Sequence, residues 1–191
     1  ATNLVDASTD TSGGTFENIR IAAGTNPTFS SDTTINGVVY IEAPNKVTFN
    51  GGLTLNGLVV TEDSSQPLSD CQIKFAGHVT ANGVEALPDT EEFVAVKQQT
   101  GTFCLAPGFD VTFTGTFDTV NGNIAADKLT FSGEAAGTIR GTLVGLTDLP
   151  TELGGEVNLY VDRGDTAQNP AGFLPSIGMH PRPDTYQECI P

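Results

Sequence analysis

A four-residue phrase recurs along this chain and constrains its fold more than any other feature. The phrase consists of threonine, an apolar residue, asparagine and glycine. Its copies begin 20, 26 and 39 residues apart, and a variant with arginine in place of asparagine begins 19 residues after the last of them. Repetition at a nearly fixed period is the sequence signature of a solenoid, in which each unit stacks on its neighbour. The copies begin at Thr34, Thr54, Thr80 and Thr119, and the variant begins at Thr138.

The residues around the phrase predict short strands. A pair that ends in phenylalanine precedes each copy, and a short apolar run follows several of them. Apolar and polar residues alternate with a period of two at 46–49 and 158–161, as they do in half-buried strands, and no long stretch shows helical periodicity. The Asn-Gly dipeptide indicates a tight change of direction, because glycine adopts positive φ readily.

An antiparallel array of hairpins and a parallel β-helix would both place Asn-Gly at the end of a short strand. Hairpin units alternate in direction, whereas this unit repeats whole and in the same order. We therefore predict an all-β fold, a single-stranded right-handed parallel β-helix of about eight coils of about 20 residues each, with an irregular C-terminal cap. The alternative is a β-sandwich. Within the step of 39 residues, 99–103 is expected to hold a degenerate copy.

The repeat divides the chain into three segments. Residues 1–14 are expected to form an N-terminal arm or cap, residues 15–164 the β-solenoid, and residues 165–191 a Pro-rich C-terminal cap or an arm that docks on a neighbouring subunit. A polar loop insertion is predicted at 61–70, where the step lengthens to 26 residues. The residues predicted to point into the core are Phe29, Ile35, Phe49, Leu55, Ile73, Phe75, Phe113, Val120, Phe131, Ile139 and Leu159.

The charge of the chain excludes some classes of partner. Its 23 acidic and 8 basic residues give a net charge of −15, which argues against binding to nucleic acid or to anionic membrane surfaces. No apolar run reaches the roughly 18 residues of a membrane-spanning helix, so no membrane insertion is expected. Few lysines and abundant threonine, glycine and asparagine suggest an exported protein, so we expect an extracellular or cell-surface location.

The three cysteines are candidates for disulfide bonds: Cys71, Cys104 and Cys189. Their spacing matches no zinc or redox motif. In an exported protein, Cys71 and Cys104 could clamp the irregular stretch between them, and Cys189 could link two chains or pair with either of the others. The alternative is that all three are unpaired thiols.

Catalytic signals are weak, and we predict that the protein is not an enzyme. The two histidines, His78 and His180, lie in different surroundings and form no triad order with serine or cysteine. Some parallel β-helices cleave carbohydrates, which takes paired carboxylates and usually aromatic sugar platforms, but this chain has no tryptophan and only three tyrosines. For such a site Arg140 is the candidate basic residue, and the candidate acids are Asp118, Asp127, Glu134 and Asp148.

No motif requires a cofactor, although acidic loops are candidates for Ca²⁺. This ion takes oxygen ligands from carboxylates and carbonyls. The richest local candidate combines Asp162 and Asp165, but the stretch lacks the repeated Gly-Gly-x-Gly-x-Asp pattern of calcium-binding β-rolls.

The outward side of the phrase is the main candidate binding surface. If the apolar residue of each copy points inward, its threonine points outward, because side chains alternate along a strand. Stacked coils would align the threonines in a ladder that could bind glycan or ice, although the second outward row is asparagine rather than threonine. The ladder residues are Thr34, Thr54, Thr80, Thr119 and Thr138.

The Thr-Phe-x-Gly and Thr-apolar-Asn-Gly pieces together cover roughly residues 15–161. In this style of repeat the chain resembles secreted bacterial parallel β-helix surface proteins, of the adhesin-passenger or pilin-like head type. The resemblance implies a non-enzymatic structural protein of a surface appendage, filament or adhesive layer, acting by self-assembly with homo-oligomer or filament neighbours. The alternatives are a glycan- or ice-binding module and, third, a carbohydrate-active enzyme. No catalytic residue is carried over from the resemblance.

Overall fold

The computed structural model describes residues 1–162, and its regular structure is almost entirely strand: 52% strand against 4% helix. A 3-10 turn covers Val84–Ala86 and the short helix α1 covers Val94–Lys97. The strands are β1 (Asn3–Val5), β2 (Gly14–Glu17), β3 (Ile19–Ile21), β4 (Thr28–Phe29), β5 (Thr33–Ile41), β6 (Asn45–Phe49), β7 (Leu53–Thr61), β8 (Cys71–Phe75), β9 (Val79–Ala81), β10 (Thr102–Phe113), β11 (Phe117–Asn121), β12 (Asn123–Phe131), β13 (Ala136–Arg140), β14 (Leu143–Gly145), β15 (Glu152–Leu153) and β16 (Asn158–Asp162).

These strands pair in parallel from one coil to the next. The register brings the repeated phrases together, so that Thr34 faces Thr54 and Thr54 faces Thr80. The stacked coils form a β-solenoid of about eight turns rather than a barrel. The predicted parallel β-helix is therefore confirmed and the β-sandwich is wrong, while the handedness of the coil stays a prediction.

Each complete coil has three faces, which we number in chain order. Strand β5 runs over two of these faces, because it pairs with both β2 and β3. Strands β2 and β3 are separated by Asn18, whose φ is 45°. Face 1 comprises β2, β9, β11, β13, β16 and the first halves of β5 and β7. Face 2 comprises β1, β3, β14, the second halves of β5 and β7, and the first halves of β10 and β12. Face 3 comprises β4, β6, β8, β15 and the second halves of β10 and β12.

The Asn-Gly dipeptide of the phrase forms the corner between face 1 and face 2. Gly37 and Gly57 have φ values of 96° and 151°, a range that favours glycine. Adjacent coils approach so closely here that a Cβ on Gly57 would lie 1.9 Å from the carbonyl oxygen of Gly37. The asparagines stack as well: the Asn56 amide donates to Asn36 at 2.8 Å, and the Asn82 amide donates to Asn56 at 2.8 Å.

A column of phenylalanine rings, contributed by face 3, runs through the core. Successive centroids lie 4.8, 5.4, 4.8 and 5.1 Å apart, with interplanar angles between 7° and 24°. The column consists, in order, of Phe29, Phe49, Phe75, Phe113 and Phe131. Every residue predicted to point inward is buried except Leu159, which packs against the core on the last described coil and is half-buried.

The long step of 39 residues contains an insert rather than a degenerate coil. Strand β9 pairs directly with β7 on one side and with β11 on the other, so no coil lies between them. The expectation for 99–103 is wrong, because Thr102 and Phe103 begin the face 2 part of the same coil. Residues 84–101 leave the coil at the corner and pack outside face 2, where Val84, Leu87 and Phe93 cover Leu58.

The remaining segments fall as follows. Part of the predicted N-terminal arm or cap is strand β1, which pairs with β3 and extends face 2. The loop between β7 and β8 occupies 62–70, at the predicted insertion. The predicted C-terminal cap or arm, 165–191, lies outside the described residues. Among residues 1–162 no helix is long and apolar enough to span a membrane.

Candidate functional site

The predicted threonine ladder exists on face 1. All five predicted residues are partly exposed, and the apolar residue that directly follows each of them is buried. The parallel register adds a sixth member, since Thr15 faces Thr34. Thr15 was missed because its copy reads Thr-Phe-Glu-Asn. Its position 19 residues before Thr34 is the signal that could have identified it.

The ladder is interrupted between its fourth and fifth members. The pairing of β9 with β11 shifts register between Phe117 and Val120, and Asp118 enters the outward row at this point. Thr119 and Thr138 pair with each other beyond the shift. The uninterrupted stretch therefore comprises Thr15, Thr34, Thr54 and Thr80.

An open groove of about 390 Å³ runs along this uninterrupted stretch. We call it the ladder groove; its polar lining comprises Thr15, Thr34, Thr54, Thr80, Asp32, Thr33 and His78. Three residues of the groove occupy equivalent positions of successive coils: Asp32, Gly52 and His78. Each of them directly precedes a strand residue, and these strand residues, Thr33, Leu53 and Val79, pair with one another from coil to coil. Gly52 has no side chain, so a gap one coil wide separates the carboxylate of Asp32 from the imidazole of His78.

His78 is held by partners on the next coil. Its Nε2 lies 3.1 Å from Asp118 Oδ2, and its Nδ1 lies 2.9 Å from Thr116 Oγ1. Asp32 Oδ1 accepts a hydrogen bond from the Gly52 backbone N–H at 2.9 Å. A Ser-His-Asp triad buries the carboxylate that orients its histidine. Here Asp118 is 70% exposed and His78 is 46% exposed. The arrangement thus offers hydrogen-bonding groups at the surface rather than an activated nucleophile.

The four candidate acids lie on different parts of the coil. Asp118 is on face 1, and Asp127 is at the bend between faces 2 and 3. Glu134 is in the connection from face 3 to face 1, and Asp148 is in the connection from β14 to β15. The structure therefore does not gather the predicted acidic surface on one face. Arg140 faces Asp162 across β13 and β16.

The predicted calcium ligands are only partly described. Asp162 ends β16, and Asp165 lies outside the described residues. Within residues 1–162, no three histidine, cysteine, aspartate or glutamate side chains are grouped so that they could hold a metal ion. Calcium binding stays a prediction.

Cys71 and Cys104 are both buried, free thiols on the inward rows of faces 3 and 2, so the structure contains no clamp between them. Cys189 lies outside the described residues. Burial raises the pKa of Cys104 from an ordinary 9.0 to about 12. Only the thiolate is nucleophilic. The Cys104 thiol is therefore unreactive for two reasons: it is buried, and it stays protonated at neutral pH.

These thiols should be inert in the folded protein. A raise of three pKa units lowers the thiolate fraction of Cys104 about a thousandfold at pH 8. In a Cys189→Ser variant, we expect no reaction with Ellman's reagent in native buffer over an hour, and reaction of two thiols per chain in guanidinium chloride. Fast labelling of the native variant would show that the coils open around these residues.

Comparisons with known proteins identify no relative. No protein-family model matches the chain, and no curated protein or solved structure matches it. Proposals about function therefore rest on the geometry of the described residues.

Proposed function

We propose that this protein is a non-enzymatic structural protein of an extracellular surface appendage, filament or adhesive layer, and that it acts by self-assembly. The proposal rests on one observation, the uncovered apolar end of the described coils. A solenoid buries its core by stacking coil on coil, so each end needs a cover. A cover made by another copy of the chain would produce assembly.

The two ends of the described coils differ in how well the core is covered. Leu153 continues the phenylalanine column, since it pairs with Phe131, yet it is 65% exposed. Val161 continues the inward row of Ile139 and is 41% exposed. At the opposite end Val5, on strand β1, is only 1% exposed. Apolar surface is thus left open at the end that carries β15 and β16.

The strand edges at the two ends match each other on face 2. Among the described residues, β2 and β1, on faces 1 and 2, each pair with another strand on one side only. On face 3 the outer edge of β4 is already contacted by Thr11, which accepts from the Ser30 N–H at 3.1 Å and donates its hydroxyl to the Thr28 carbonyl at 2.8 Å. At the other end, within residues 1–162, β14 and β15 each pair on one side only, and they belong to faces 2 and 3. Unpaired edges are ready to accept a further parallel strand. A second copy stacked end to end, with β14 of one copy beside β1 of the next, would continue the face 2 ladder, and contacts of this head-to-tail kind propagate into a filament.

Sedimentation velocity over a hundredfold concentration range tests this proposal. We expect the full chain to associate reversibly, and Leu153→Glu to weaken association at least tenfold, about 1.4 kcal/mol, because a charge replaces a side chain that the contact buries. The matched control is Val94→Glu on α1, where valine is 57% exposed. Val94 belongs to the insert in the middle of the chain, so it lies at neither end of the stack of coils. We expect the control to associate as the unchanged chain does.

Two outcomes would contradict self-assembly. A chain that is monomeric at every concentration would indicate that residues 163–191, rather than a second copy, cover the open end. Equal weakening by the Leu153 and Val94 substitutions would indicate non-specific association through exposed apolar side chains.

A further inference from the structure

We propose that the ladder groove binds a neutral, hydroxyl-rich saccharide, with the ligand lying along Thr15, Thr34, Thr54 and Thr80 between Asp32 and His78. This activity goes beyond self-assembly and uses face 1 rather than the ends of the solenoid. It assigns a ligand class to the longest uninterrupted part of the ladder.

The gap at the centre of the groove depends on Gly52. The backbone of Gly52 does not lie in the left-handed region, unlike that of Gly57, so its conformation does not require glycine. A Cβ at this position would lie 2.9 Å from Asp32 Oδ1 and would project between Asp32 and His78. The absence of a side chain therefore keeps the groove open. A methyl group there meets the end of a flexible side chain, so the fold should tolerate it.

The lining has the hydrogen-bonding character of a saccharide site. Each threonine hydroxyl both donates and accepts, and strand pairing spaces the hydroxyls at about 4.8 Å intervals. The carboxylate of Asp32 accepts. Both ring nitrogens of His78 already have protein partners, so its imidazole forms one end of the groove rather than a hydrogen-bonding group for the ligand. A sugar chain presents a row of hydroxyls that also donate and accept. Four threonines span on the order of 14 Å, which is enough for a few sugar units.

Charge favours a neutral ligand. Among residues 1–162, no lysine or arginine lines the ladder groove, and Asp32 and the nearby Asp118 are carboxylates. The whole chain carries a net charge of −15, so its field repels phosphates, sulfates and uronic acids. Neutral hexoses and pentoses meet no such barrier.

The second outward row argues for a saccharide rather than the surface of ice. In that row Asn36, Asn56 and Asn82 hydrogen-bond to one another at 2.8 Å, so their amides already have partners. The threonine row itself is broken after Thr80 by the register shift. An ice lattice needs a long, two-row, regular array, whereas a short oligosaccharide needs only the uninterrupted stretch.

The test is a binding titration with cellohexaose, xylohexaose, mannohexaose and hexagalacturonate, followed by NMR and calorimetry. We expect at least one neutral hexasaccharide to bind. Thr54→Val, which keeps the branched shape but removes the hydroxyl, should weaken that binding about fivefold, as expected for one net hydrogen bond. Gly52→Ala should weaken it further by narrowing the gap. Thr138→Val is the matched control, because Thr138 belongs to the ladder beyond the register shift.

Several outcomes would overturn the proposal. These are no binding of any neutral hexasaccharide at millimolar concentration, tighter binding of hexagalacturonate, or equal weakening by the Thr54 and Thr138 substitutions. Ice-crystal shaping that both threonine substitutions abolish would assign the ladder to ice instead. Circular dichroism and urea unfolding verify that each variant is folded. The Thr54→Val variant should sediment as the unchanged chain does. Its loss of saccharide binding would then be independent of self-assembly, which involves the distant open end.

Discussion

Replacement of Phe75 by alanine is expected to lower the free energy of unfolding by about 3–5 kcal/mol, the range measured for large-to-small changes in cores. Phe75 is the middle ring of the phenylalanine column, 5.4 Å from Phe49 and 4.8 Å from Phe113. It is 1% exposed, so its loss leaves a cavity that rigid coils on both sides cannot fill. Two stacked contacts, each worth about 0.5–1.5 kcal/mol beyond area burial, disappear together.

The matched control is Phe16→Ala. Phe16 is half-buried near the N-terminal end of the coils, packs against the edge of the core, and makes one ring contact among the described aromatic residues, edge to face with Phe29 at 5.5 Å. We expect this change to cost less than half as much, because less apolar area and a single ring contact are lost. Urea denaturation followed by circular dichroism measures both. Equal losses would mean that the column contributes no more than an ordinary apolar contact, and that other core rows hold the coils together.

The features of the fold that depend on neighbours in sequence were predictable. Alternation with a period of two placed Ile35 and Leu55 inside and Thr34 and Thr54 outside, because side-chain direction along a strand is a local property. The corner at Asn-Gly was predictable for the same reason, since it depends on the conformational range of glycine. Parallel stacking followed from the order in which the units repeat.

Features that depend on contacts between distant segments could not be predicted. The apolar residues of the insert, such as Val84 and Phe93, resemble strand residues by composition, but they pack outside face 2 on Leu58. Periodicity alone does not distinguish an inner core from a second apolar cluster on the outside. The ladder groove was hidden as well, because its gap depends on the register that places Gly52 between Asp32 and His78.

Replacement of Gly57 by alanine is expected to lower the free energy of unfolding by at least about 3 kcal/mol, or to prevent folding. Such a loss is larger than that caused by most single substitutions. The φ of 151° at Gly57 is strained for any residue with a Cβ. In addition, the new Cβ would lie 1.9 Å from the carbonyl oxygen and 2.7 Å from the carbonyl carbon of Gly37. These are backbone atoms, so no side-chain rotation relieves the overlap. The corner has to open, which separates β5 from β7.

The matched control is Gly154→Ala, measured by the same urea denaturation. A Cβ at Gly154 meets nothing within 4 Å, and its backbone lies outside the left-handed region. The control should therefore change stability by no more than about 0.5 kcal/mol. The Asn-Gly corner recurs in four copies of the phrase, and a Cβ on Gly122 would also lie within 3 Å of backbone atoms, so the geometry of these corners limits how closely neighbouring coils can stack. If Gly57→Ala unfolded at the same urea concentration as Gly154→Ala, the corners would be deformable, and the coil spacing would have to be imposed by the phenylalanine column alone.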